Sequence, residues 1–146
     1  MNTRHIFRAV ALLLLLPNAA IAQAHRQKLY VLSSNATDMT VIDVATNQII
    51  GSVEVGPLPH GLAAPASQDV LYVSTEGDGG LTVVDPVTDR LVKQYRIFGK
   101  RPNEIDVTSD GRYVYVPTYG AGVYEVFDTV KEEIVARIPT DGLPHN

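Results

Sequence analysis

Lys28-Leu29-Tyr30-Val31, Val70-Leu71-Tyr72-Val73 and Tyr113-Val114-Tyr115-Val116 are three versions of one segment, with tyrosines 42 and 43 residues apart. Val41-Ile42-Asp43, Val83-Val84-Asp85 and Val126-Phe127-Asp128 recur at the same spacing. Pro59-His60-Gly61, Pro102-Asn103-Glu104 and Pro144-His145-Asn146 hold it again. Three independent markers in one register define a repeat of a length that suits either propeller blades or paired helices. The residues decide for strands. Val70–Ser74, Leu81–Asp85 and Leu91–Ile97 are short and rich in β-branched and aromatic side chains. Glu76-Gly77-Asp78-Gly79-Gly80 and Tyr119-Gly120-Ala121-Gly122 would break a helix but suit tight hairpins.

One unit reads as four strands, His60–Ala66, Val70–Thr75, Leu81–Val87 and Leu91–Phe98. The next gives Asn103–Thr108, Arg112–Thr118, Gly122–Asp128 and Glu133–Pro139. Four antiparallel strands per unit make a propeller blade. The predicted fold is all-β, a partial β-propeller of about three blades spanning 28–58, 59–101 and 102–143, with the start of another at 144–146. The first blade lacks its innermost strand. Glu54, Lys93, Arg96 and Arg137 on the fourth strands are expected to guard the outer edges against pairing. Three blades cannot close a ring, and each open blade face would forfeit about 1.5–3 kcal/mol per apolar side chain left exposed. The sequence therefore predicts a piece of a larger propeller, with closure by self-association as the second reading.

Residues 1–24 read as a secretory signal peptide. Arg4, His5 and Arg8 precede an apolar run from Ala9 to Leu16, and Ala20-Ile21-Ala22 and Ala22-Gln23-Ala24 offer cleavage after Ala22 or Ala24. That run is far shorter than the roughly 20 residues of a spanning helix. Residues 25–146 form the repeat domain, expected in the periplasm or secreted. The chain of 146 residues is 45% apolar and 19% charged, a globular composition. It has no cysteine, which excludes disulfides, cysteine-rich zinc sites, thioether-linked haem and a thiol nucleophile. The formal charge of −4 becomes about −6 once Arg4 and Arg8 leave with the leader. Such an acidic body is poorly suited to phosphate backbones, so nucleic acid is demoted as a partner.

The repeats resemble the YVTN-type β-propeller family, including YncE-like periplasmic proteins, over residues 28–146. The tetrad appears as Tyr30-Val31-Leu32-Ser33, Tyr72-Val73-Ser74-Thr75 and Tyr115-Val116-Pro117-Thr118. Repeats of the WD type are disfavoured by the absence of tryptophan, and kelch units run nearer 50 residues. The resemblance implies an exported, non-enzymatic module that binds a small-molecule ligand or a periplasmic protein partner, or acts as a scaffold. The alternative it leaves open is a periplasmic enzyme subunit or redox accessory: associated with a quinone-dependent dehydrogenase, haem-d1-binding, or lactonase-like.

Candidate chemistry is sparse. Asp43, Asp85 and Asp128 close the third strands and are read as turn-fixing acceptors. Gly77–Gly80 lacks the lysine and helix of a phosphate loop. Lys100-Arg101 is read as a solvated loop. His60, Asn103 and His145 hold equivalent places at the entry of the innermost strand, where successive blades converge on the axis. They are the predicted ligand-binding residues, set on one face with Glu76, Asp78 and Tyr119. No catalytic residue is assigned, and the cofactor and any metal remain open.

Overall fold

The computed structural model describes residues 27–96 and 98–145; the leader and its cleavage sites lie outside them. Eleven strands form three antiparallel sheets among the described residues. The first is β1 (Lys28–Leu32), β2 (Asp38–Asp43) and β3 (Gln48–Glu54), in chain order. β4 (Pro59–Ala63), β5 (Leu71–Thr75), β6 (Gly80–Asp85) and β7 (Arg90–Tyr95) make the second. The third is β8 (Asp106–Val107), β9 (Tyr113–Thr118), β10 (Val123–Asp128) and β11 (Glu133–Pro139). This is a partial β-propeller whose first blade has three strands.

Equivalent sequence produces equivalent geometry. The hairpins closing the third strands place Asn47, Asp89 and Glu132 in the left-handed region, at φ 55, 54 and 59°. The aspartate four residues earlier stabilises each turn. Asp43 accepts from the Thr46 amide and hydroxyl, Asp85 from the Val87 amide and Thr88 hydroxyl, and Asp128 from the Val130 and Lys131 amides. Burial opposes ionisation of Asp128, but those amides and Arg112 outweigh it and hold its carboxyl below the usual range. Each blade also carries the same bulge between third and fourth strands, after Val41, Val83 and Val126. The extra residues, Ile50, Val92 and Val135, bend and shield the outer edge.

The innermost strands are shorter than predicted. Asn103–Thr108 reduces to Asp106–Val107 and a single bridge between Pro102 and Thr118. The cause is a second repeated bulge. Pro59 faces Thr75 but Leu62 faces Val73, and Pro102 faces Thr118 but Asp106 faces Tyr115. Residues 60–61 and 103–105 thereby leave the ladder. The Tyr119–Ala121 hairpin tip is a 3₁₀ turn ended by Gly122 at φ 65°. The outer-strand charges are exposed, but they are also partnered: Lys93 with Glu132, Arg96 with Asp78, Arg137 with Glu125, and Glu54 with Thr37.

Two apolar clusters fill the blade junctions. Met39, Val41, Val53 and Val55 meet Leu71, Val73 and Val84 between the first and second blades. Tyr72 and Leu81 meet Ile105, Val114, Val116 and Phe127 between the second and third. Polar contacts set the register. The Tyr30 hydroxyl donates to Asp89 at 2.7 Å and lies 3.1 Å from the Pro86 carbonyl, while Lys28 pairs with Asp89 at 2.7 Å. Burial, then Asp89, pushes the Tyr30 phenol well above its usual range. Tyr30→Phe removes only this hydroxyl, and a hydrogen bond to a charged group contributes about 1.5–3 kcal/mol. The variant is expected to unfold at lower urea, with a loss near the lower figure because Lys28 still partners Asp89. An unchanged midpoint would show that the contact sets no register.

Candidate functional site

The inner-strand bulges determine what the face presents. Gly61 N donates to the Ser74 hydroxyl at 2.8 Å, and that hydroxyl donates to the Asn103 carbonyl at 2.5 Å. The Asn103 amide N–H reaches back to the Pro117 carbonyl at 2.9 Å. Asn103 is thus held by its backbone at both ends, and only 2% of it is exposed.

Glu76, on the hairpin between β5 and β6, joins the parts. It accepts from Asn103 Nδ2 at 2.5 Å and from Arg101 Nε at 3.4 Å. His60 Nε2 is 3.8 Å from the same carboxylate, and His60 Nδ1 is 3.6 Å from Glu104. Both carboxylates lie just beyond hydrogen-bond reach of the imidazole. The His145 ring meets His60 edge-on at 5.5 Å between centroids and Tyr119 at 6.5 Å. Arg101 in turn lies over the Tyr119 ring at 4.9 Å.

The structure brings His60, Asn103 and His145 together, with Glu76 and Tyr119 beside them. Asp78 lies further out, pairing with Arg96 at 3.0 Å and accepting from the Thr75 hydroxyl. Two buried polar atoms in the cluster have no partner, His60 Nδ1 and Asn103 Oδ1. Such atoms are costly in an interior unless something supplies the missing bond. An open cleft of about 480 Å³ adjoins the cluster, lined by Glu76–Gly79 and Phe98–Arg101.

Sequence reasoning missed two members. Lys100-Arg101 is not simply solvated, because Arg101 bridges Glu76 and Tyr119. Its signal was positional: Arg101 holds the place of Leu58 and Leu143 in the other connectors, the one charge among three. Leu58 and Arg101 share the left-handed backbone, at φ 53 and 60°, which turns the next residues toward the axis. Glu104 had no such signal.

These features define a β-propeller segment with a polar mouth where its inner strands begin. The profile of the cytochrome D1 heme domain matches residues 24–146, and the chain belongs to that family. No curated protein sequence matches it. Among solved structures it is similar to Kuenenia stuttgartiensis hydrazine synthase, with TM-score 0.72 and 26% identity over 79% of this chain and 33% of that one. It is also similar to the dihydro-heme d1 dehydrogenase NirN in complex with DHE, with TM-score 0.65 and 24% identity over 77% of this chain and 24% of that one. Apo AztD from Citrobacter koseri gives TM-score 0.66 and 16% identity over 84% and 34%. The chain therefore spans about a third or less of each. The last two likenesses speak to fold alone.

The family implies a haem d1 group, and the donor set fits one. His60 and His145 offer two imidazoles, and Lys100 and Arg101 offer cations to ring carboxylates. An iron already held by a macrocycle would ask the protein for only one or two donors.

Proposed function

We propose that this chain is part of an exported, periplasmic haem-d1-type propeller that binds its ligand at the mouth formed by His60, Asn103 and His145. The observation that carries this reading is the pair of buried, unpartnered atoms, His60 Nδ1 and Asn103 Oδ1, beside a second imidazole. His60 and His145 would hold iron, Asn103 Oδ1 would accept from a donor on the ligand, and Arg101 would meet a carboxylate. Glu76 accepts from Asn103 Nδ2 and so leaves Asn103 Oδ1 as the unpartnered atom of that amide. The bound group would supply one-electron chemistry. The module's part is binding and orientation.

Residues 1–24 support export, and no helix among the described residues is long and apolar enough to cross a membrane. The Tyr-Val and Val-Ile-Asp segments support a repeat of the YVTN type within this family.

Ferric protoporphyrin is a usable probe. Titrated into the protein, it should give a saturable shift of the Soret band. His60→Ala with His145→Ala should weaken binding by about tenfold or more, and Asn103→Ala should weaken it less. Equal affinity in the double variant and the parent would end the proposal.

A further inference from the structure

His60 lies between two carboxylates that the repeat does not call for. Glu76 stands where the other blades have Ser34 and Tyr119, and Glu104 where the second blade has Gly61. His60 is 3.8 Å from Glu76 Oε1 and 3.6 Å from Glu104 Oε2, so neither carboxylate is satisfied by the imidazole. Beside them Asn103, only 2% exposed, gives its Nδ2 to Glu76 and has no partner for Oδ1. The cluster therefore holds acceptors in excess. Its two carboxylates and buried amide oxygen face one guanidinium, that of Arg101, at 3.4 Å from Glu76. In formal charge that leaves one negative charge without a partner. Among the described residues no three His, Asp or Glu side chains are grouped to hold a metal ion.

We propose that this cluster binds the primary ammonium group of a small organic amine. An ammonium carries three N–H donors, no acceptor and one positive charge, which matches both the excess of acceptors and the sign of the charge. Asn103 Oδ1, Glu76 and Glu104 would each accept one N–H, and bonds of this charge-assisted kind are the strong ones. Two blades share the task. Glu76 comes from the hairpin between β5 and β6, and Asn103 and Glu104 come from the stretch before β8 that has left the ladder. The proposal goes beyond the haem reading and does not rest on it, since none of these three oxygens is assigned to iron.

The test titrates the full, isotope-labelled chain with methylammonium chloride and follows the Asn103 side-chain amide signal by NMR. A saturable shift is expected. Tetramethylammonium, which has the charge but no N–H, should give none. Equal responses to the two salts would overturn the proposal. So would silence toward methylammonium in protein that still binds ferric protoporphyrin, an outcome that leaves the haem reading standing. The Glu104 side chain is 49% exposed, so Glu104→Gln should fold like the parent and bind methylammonium about fivefold more weakly. Arg101→Leu installs the residue that Leu58 provides at the equivalent left-handed position. It removes the competing cation and should tighten methylammonium binding about fivefold while weakening that of protoporphyrin. A variant that merely loosened the fold would weaken both. Methylammonium affinity unchanged in both variants would overturn the proposal.

Discussion

Gly61→Ala is expected to destabilise the protein by about 2–4 kcal/mol, although it adds one methyl group. A Cβ at Gly61 would lie 2.6 Å from the Ile105 amide nitrogen, 2.7 Å from the Asn103 carbonyl oxygen and 2.9 Å from the Glu104 Cα. All three are backbone atoms, so no rotamer change relieves the contact. The inner strand of the third blade must move, and Ser74 then cannot keep both its bond from Gly61 N and its bond to Asn103 O. Gly51→Ala is the control, because its Cβ would meet nothing within 4 Å; its effect should stay within about 0.5 kcal/mol. Urea unfolding of both variants settles the comparison. If the two lose equal stability, the blades are not in contact at Gly61. Gly61→Ala should also weaken protoporphyrin binding, because the same shift displaces Asn103 from Glu76.

Much of this architecture was legible because the sequence repeats itself. Tyr30, Tyr72 and Tyr115 mark the second strands, and Asp43, Asp85 and Asp128 mark the turns, since a carboxylate there has turn amides to bind. The shared face of His60, Asn103 and His145 followed from the phase of the repeat alone. What one sequence does not display is departure from the repeat by side chains that meet across blades. The bulges at 60–61 and 103–105 depend on the neighbouring blade, through Ser74, and so shortened strands that composition alone extends. Arg101 was read by its charge and adjacency, whereas its place follows from a left-handed backbone one cannot infer from a non-glycine residue. Arg137 was read as an edge guard because its partner lies on the adjacent strand, at a position where the other blades have threonine.

That partner, Glu125, yields the second large expected effect. The equivalent Thr82 donates to the Val55 carbonyl of the incoming connector at 2.6 Å, supported by Gln94. In the third blade the polarity is reversed. Glu125, 2% exposed, accepts from the connector amide of Gly99 at 2.8 Å, from the Thr118 hydroxyl at 2.9 Å and from Arg137 at 2.8 Å. Glu125→Ala leaves a part-buried N–H and a buried hydroxyl without an acceptor, each costing up to about 1–3 kcal/mol, so a loss of about 3 kcal/mol is expected. Arg137 is well solvated, and its attraction to Glu125 adds little to that sum. Glu125→Gln keeps an oxygen for Gly99 and Thr118 and should cost about 1 kcal/mol. The ordering is the test: if denaturant midpoints fall equally for Ala and Gln, the ion pair rather than the two acceptor bonds holds the connector. Because that connector runs on through Lys100 and Arg101 to Asn103, Glu125→Ala should also loosen the mouth. A stability loss without weaker protoporphyrin binding would separate the connector from the site.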